Sequence, residues 1–335
     1  ELTGIQKSIL NDVIKGKRSL TPEMALLIEN ALGISATFLL NLQTQYELDC
    51  AKQSERVILQ TKMLEIWNVL KEHVSTQFFK KVNIIKGNII EDVNRVFEVF
   101  AVDNLDDFFG LKAQEMELPY YYRKSEKVTT NPIDIFSWKY YCYHLAKQDH
   151  ADLKAFDKDN AEALTKELNK VFKENVDTVK KTGEVLNKYG IRFMIVKKVG
   201  QVPVDGMSFW IGENPTIVVT ERIASIDNFA FTTLHEVGHV YNHLTKDGKA
   251  MINLLDEKKN SEETEADHFA LNAVVPDAVW KKFLSKTRDV VPYKIAPYIK
   301  EEADRYEVNP QILFGRYKHD IGVYKIKNYF ETRIL

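Results

Sequence analysis

For most of its length the chain places apolar residues at helical spacing. Residues 1–48 read as short helices separated by turns at Gly4, Gly16 and Gly33, with Ser8, Ile9, Leu10, Val13 and Ile14 facing inward. Thr21 followed by Pro22 is a cap-plus-first-turn start for one of these helices. Residues 50–82 continue the pattern, with Ile58, Met63, Ile66, Leu70 and Val74 as an apolar stripe. A further amphipathic helix over 89–110 carries Val93, Val96, Phe97 and Phe100 and stops near Gly110. The tyrosine-rich stretch 111–137 reads as irregular, and Ser137 to about Lys188 as charged helix ending at Gly190.

The texture then changes. "IRFMIVKKV" (191–199), "MSFWI" (207–211) and "TIVVT" (216–220) are short β-rich runs divided by Pro203, Gly206, Gly212 and Pro215. Two long helices follow, over 227–245 and about 261–274, and then a helical C-terminal region. The expectation is an α+β chain, mostly helical, with a small mixed or antiparallel sheet packed on the two late helices. A small all-helical domain precedes it. The boundaries fall at 1–55, 56–180 and 181–335.

Composition narrows the function classes. Hydrophobic residues at 44% and charged residues at 28% are ordinary globular values. A net charge of −2 carries no general attraction for nucleic acid, so any DNA contact requires a local patch. No run of about 18 apolar residues exists to span a bilayer, and no apolar signal segment opens the chain. Two cysteines, Cys50 and Cys142, exclude a disulfide scaffold and a cysteine-rich zinc site, and they suit the cytoplasm. The chain opens at Glu1 rather than Met, as a fragment does.

The candidate chemistry lies in "AFTTLHEVGHVYNHL" (230–244). Residues four apart on a helix face the same way, so His235 and His239 can reach one metal through imidazole nitrogens. Glu236 borders that site, where it can take a proton from an attacking water and return it to a leaving amine. Ala230, Leu234, Val237, Tyr241 and Leu244 form the buried stripe beside the histidines, and Gly238 leaves room for a neighbouring backbone. The bland alternative is a core helix with chance histidines. His243 lies eight residues past His235, too far along a straight helix to share the ion, and reads as a surface or supporting residue.

"SEETEADHFALNAVVP" (261–276) supplies the acids. Glu262, Glu263 and Glu265 stand in the first turns, where the helix dipole alone favours acids. On the helical wheel Ala266, Phe269, Ala270 and Ala273 are buried. Glu263 lies nearer that face than Glu265, which stays open as the alternative third ligand. Asp267, one turn on from Glu263, is placed to accept an N–H from a ligating histidine. His268 reads as structural. Two histidines and one glutamate leave a position for water, the mark of a catalytic zinc site, and the implied reaction is amide hydrolysis.

"FAFTTLHEVGHVYNHL" with "EETEADHFALNAVVP" resembles the ImmA/IrrE family of zinc metallopeptidases. The strand pair "GMSFWIGENPTIVV" is similar to the segment before that family's zinc helix. The resemblance implies zinc on His235 and His239, Glu236 as base, and an acid of the second motif as third ligand. Glu263 matches its gluzincin-like E-x-x-x-[ND] spacing, with Asp267 as partner. It also implies limited cleavage of protein partners such as intracellular repressors.

The N-terminal "LNDVIKGKRSLTPEMALLIENALG" resembles the later helices of an XRE-type helix-turn-helix of the HigA-like antitoxin branch, with the usual first helix lying before Glu1. Gln6, Lys7, Ser8 and Asn11 are then the base-reading end of a helix, and Lys15, Lys17 and Arg18 the phosphate grip. The alternative is a small helical module for dimer contacts, and a homodimer is among the expected partners. "FAVDNLDDFFG", "YYRKS" and "NPQILFGRYKHD" are similar to linker and C-terminal motifs of long antitoxin-like proteins; Arg123 and Arg316 there read as site or interface residues, or as surface salt bridges.

Two functions follow. One is a DNA-binding transcriptional regulator with its own zinc endopeptidase, acting on a repressor or toxin. The other is a HigA-like antitoxin or repressor whose zinc domain senses or scaffolds without proteolysis. Glu236 discriminates, because a scaffold has no need of it.

Overall fold

The computed structural model describes residues 2–116, 131–198, 204–221, 223–246, 250–254 and 261–334. Arg123 and the "YYRKS" motif lie outside the described residues. The chain divides into two packing units, Glu1–Glu72 with Gly87–Val93, and His73–Lys86 with Asn94–Leu335.

The first unit holds α1 (Lys7–Ile14), α2 (Pro22–Leu32), α3 (Ala36–Gln53) and α4 (Glu55–Leu70). Thr21 caps α2 by accepting from the Met24 N–H at 3.3 Å, with Pro22 in the first turn, as the dipeptide predicts. Gly33 closes the helix at φ +71°, a conformation that costs a β-carbon dearly. Two expectations need correction. Ile14 is 76% exposed and Ser8 is exposed, because only Ile9, Leu10 and Val13 cluster on one face of so short a helix. In α4, Ile58 is exposed: it lies over 100° around the wheel from the face of Met63, Ile66 and Leu70. Val74 lies beyond the helix end.

The helix expected over 89–110 is two, α6 (Ile89–Phe100) and α7 (Leu105–Met116), after the short α5 (Thr76–Lys81). Ala101 takes φ +54°, and the Asn104 side chain accepts from the Asp107 N–H at 2.9 Å, so a new helix start is built there. Gly110 sits inside α7. The next helix, α8 (Pro132–Gln148), begins at an Asn131 cap, so the ends of the stretch expected to be irregular are helical. Within the second unit Phe100, Phe108 and Phe136 form an aromatic core, with Phe100 stacked on Phe136 at 4.9 Å. Helices α9 (Ala161–Glu174) and α10 (Thr178–Lys188) then lead into the sheet.

Strands β1 (Arg192–Val196), β2 (Val204–Ile211), β3 (Asn214–Thr220) and β4 (Met251–Leu254) run in the order β1-β3-β2-β4. A two-residue turn opened by Gly212 at φ +60° joins β2 to β3. β3 slots between β2, antiparallel, and β1, parallel, so the small sheet is mixed. β4, not expected from the sequence, pairs antiparallel with the free edge of β2.

Behind the sheet lies α11 (Ile226–Asn242), and against it α12 (Ser261–Val274). The expected stripe of Ala230, Leu234, Val237, Tyr241 and Leu244 is buried, packed with Ile217 and Val219 of β3 and Leu168 and Phe172 of α9. A second core joins α13 (Asp277–Lys286), α14 (Ala296–Tyr306) and α15 (Pro310–Asp320) through Trp280, Ile299 and Phe314. The segment after α15 returns to the start of α11, where the Ile226 N–H donates to the Thr332 carbonyl at 2.8 Å. No helix among the described residues is long and apolar enough to cross a membrane.

Candidate metal centre

Two close approaches place the chemistry. At Gly238 a β-carbon would stand 3.2 Å from the Ala266 Cα and from Phe269, so α11 and α12 touch almost backbone to backbone. That contact sets Glu263, one turn before Ala266, opposite the histidines. On the other side β2 crosses α11 at Gly206, where any β-carbon would collide with the Glu236 carboxylate. Ser208, on the same face of β2, donates to Glu236 Oε2 at 2.8 Å. Gly206 and Ser208 were not anticipated as site residues. Their spacing of two on a strand beside the histidine helix is the signal that finds them.

His235 and His239 are buried, and their Nε2 atoms stand 3.0 Å apart. Glu263 brings one oxygen to each, Oε2 at 3.2 Å from His235 Nε2 and Oε1 at 3.3 Å from His239 Nε2. These three residues offer donor atoms all within 4.8 Å of one another. Asp267 Oδ1 lies 2.9 Å from His235 Nδ1, and His243 Nδ1 lies 2.9 Å from His239 Nδ1. His243 Nε2 in turn lies 3.2 Å from Glu265 Oε2. His243 is therefore a half-buried support of His239, and Glu265 reaches that support while Glu263 reaches the centre.

The tautomers follow from those partners. A carboxylate accepts, so His235 carries its proton on Nδ1 and turns the Nε2 lone pair inward. Glu265 likewise fixes a proton on His243 Nε2, so His243 Nδ1 accepts from His239 Nδ1 and the second Nε2 also presents a lone pair. Burial pushes the His239 pKa down, which favours the neutral ring. In these tautomers both Nε2 lone pairs turn toward Glu263, the arrangement in which the three residues can share one cation. Donor atoms at 2.0–2.1 Å around a tetrahedral zinc are separated by about 3.3 Å, close to the spacings here. The residues fit the ion.

Without a metal Glu263 is depressed to about 2: burial raises it, and hydrogen bonds from His235 and His239, donated when their Nε2 atoms carry protons in the metal's place, outweigh that. Glu236 moves the other way, to about 8, driven by complete burial and only partly relieved by His235 and by the Ser208 hydrogen bond. Its Oε1 is buried with no hydrogen-bond partner among the described residues. Adjacent carboxyls with pKa values pushed apart are the arrangement that separates a ligand from a proton carrier. A cavity of about 780 Å³ opens beside His235, Glu263 and Asp267 and continues to Asp227 and Gln311.

Residues 186–313 match the family model of the IrrE N-terminal-like domain, of the M78 peptidases. No curated protein matches the chain. The match runs from the end of α10 into α15, so the IrrE-like segment contains the whole sheet, α11 and α12 and every residue of the centre. It assigns this segment to a peptidase-type module and supports the resemblance to the ImmA/IrrE family.

The remaining candidates lie elsewhere. Arg316 donates to the Leu271 and Val275 carbonyls at 2.9 and 3.0 Å and to Asp277 at 2.9 Å, closing the C-terminal end of α12. His268 pairs with the same Asp277 at 2.8 Å. In the first unit Gln6, Lys7, Ser8, Asn11, Lys15, Lys17 and Arg18 are all exposed, at the N-cap of α1, on α1 and in the turn that follows it.

Proposed function

We propose that the chain is a zinc-dependent endopeptidase joined to a DNA-binding module, a transcriptional regulator that cleaves a protein partner such as a repressor or toxin. The observation that carries the peptidase reading is the convergence of His235, His239 and Glu263 beside the buried, raised carboxyl of Glu236. His235, His239 and Glu263 hold the zinc, with Asp267 and His243 fixing the two rings. The ion supplies Lewis acidity toward a peptide carbonyl and toward water. Glu236 receives the proton of the attacking water and delivers it to the leaving amine. Ser208 and the space left by Gly206 keep its carboxyl in position for both transfers. The DNA reading rests on the exposed basic and amide side chains of α1 and its turn, and on the likeness to a HigA-like helix-turn-helix.

The test compares cells expressing the wild type with cells expressing Glu236→Gln. The expected outcome is that a small number of proteins disappear only with the wild type, and that both forms bind zinc. If both forms leave the proteome alike and regulate a target equally, the non-proteolytic sensing module replaces the peptidase.

A further inference from the structure

The cavity that begins at the metal centre is lined at its other end by Asp227 and Gln311, which the peptidase chemistry does not use. Asp227, Phe231 and His235 form an i, i+4, i+8 row along α11, and all three line the cavity. The row is about 12 Å long at 1.5 Å per residue. At its far end Gln311 Nε2 donates to Asp227 Oδ2 at 3.1 Å, which fixes the orientation of the amide. Asp227 Oδ1 and Gln311 Oε1 are then both buried with no partner among the described residues. Gln311 itself is 1% exposed. Gly315 keeps the place open, since a β-carbon there would stand 2.7 Å from Asp227 Oδ2.

The helix dipole accounts for a carboxylate in the first turn of α11. It does not account for a second acceptor held beside it, nor for leaving both unsatisfied, which costs each group its hydration. The basic residues of the cavity wall are engaged elsewhere: Arg316 at the end of α12, Lys318 with Asn328 at 3.2 Å, and His319 with Asp320 at 3.1 Å. A carboxylate oxygen and an amide oxygen side by side call for a group with several N–H donors and a positive charge.

We propose that Asp227 and Gln311 form a subsite for a cationic group of a bound peptide, an arginine or lysine side chain within about two or three residues of the bond held at the metal centre. An extended chain advances about 3.3 Å per residue, and a long basic side chain supplies the rest of the 12 Å row. This specificity rests on the peptidase reading of the site, but its test needs no turnover. The full chain carrying Glu236→Gln, with zinc added, is titrated with acetylated and amidated alanine octapeptides bearing one arginine or one norleucine at each position in turn. At one or two adjacent positions the arginine peptide binds about tenfold tighter or better, and Asp227→Asn removes that difference. In a second measurement without any change at Asp227, n-butylguanidinium displaces the arginine peptide and n-butylurea does not. Equal affinities, no binding by any arginine peptide at millimolar concentration, or a preference that survives Asp227→Asn would overturn the subsite. A free amino terminus that gains affinity in place of arginine would show that the chain end, not a side chain, is read, and would overturn it too. Cleavage by the wild type with no preference for basic residues sinks this subsite alone. A preference in binding with no cleavage by the wild type sinks the peptidase reading alone.

Discussion

Glu236 is the residue at which folding and chemistry conflict most. In the metal-free protein its carboxyl titrates at about 8, against 4.5 for an unburied glutamate. A raised acid binds its proton more tightly in the folded state, so its contribution to stability is fully present below about pH 4.5. That contribution is lost as pH rises through about 8. Glutamine copies the protonated acid in shape and cannot lose the proton. The metal-free Glu236→Gln chain is therefore expected to melt at a higher temperature than the wild type at pH 8.5, by a few kcal/mol of stability, and at the same temperature at pH 4.5. Thermal unfolding in chelator at the two pH values checks this, and a gap that does not depend on pH contradicts it. Asp267 is expected to act on a bound ion through His235, whose Nδ1 it meets at 2.9 Å. Asp267→Ala should weaken zinc binding about 10- to 100-fold while leaving His235, His239 and Glu263 in place. Competition with a coloured chelator measures the loss, and an unchanged affinity would show that the His235 ring is oriented by its packing alone.

At the scale of elements, the crossing of β2 over α11 depends on one missing side chain. Gly206→Ala puts a methyl group into the Glu236 carboxylate, between backbones that are both buried, at a cost of about 1–3 kcal/mol. Shortening the partner should restore much of that stability, so Gly206→Ala with Glu236→Ala is expected to melt above Gly206→Ala alone. The same elements show how far the sequence could be read. Both late helices and three strands were legible, because α11 and α12 repeat apolar residues at helical spacing and β2 and β3 are bounded by Gly and Pro. The choice of Glu263 over Glu265 followed from the wheel, and the structure sets Glu263 against the histidines and Glu265 against His243. β4 was not legible: four residues carry too little periodicity, and only pairing with β2 makes them a strand. The break at Ala101 was hidden because a non-glycine residue at positive φ leaves no mark in composition. Asp227 and Gln311 lie 84 residues apart in the chain, so only the fold brings them together.

For the molecule as a whole, the metal is expected to act as a cross-link between α11 and α12. Its donors come from both helices, and the unfolded chain holds no such set, so zinc binds the folded state preferentially and stabilises it by mass action. At a free zinc concentration about a thousandfold above Kd that stabilisation is about 4 kcal/mol, which for a unit of this size corresponds to a shift on the order of 10 °C. Chelation of the zinc-loaded chain should lower the melting temperature by that order, and Glu263→Gln, which keeps the volume but weakens the third donor, should lose most of the shift. The sign of the pH dependence is set by the donors. Glu263, held at about 2, stays ionised through the acid range, whereas the two histidines must be neutral to bind. The zinc-induced shift is therefore expected to persist at neutral pH and to fade in acid as His239 takes up a proton, before Glu263 titrates. Burial pushes His239 down and extends the window toward acid, so the fading should lie below rather than above the ordinary histidine range. Scanning calorimetry with and without chelator between pH 5 and 8 reads the shift directly. A melting temperature indifferent to chelator, or a shift that survives Glu263→Gln undiminished, would mean that the converging acceptors hold no zinc and that the hydrolytic reading fails with them.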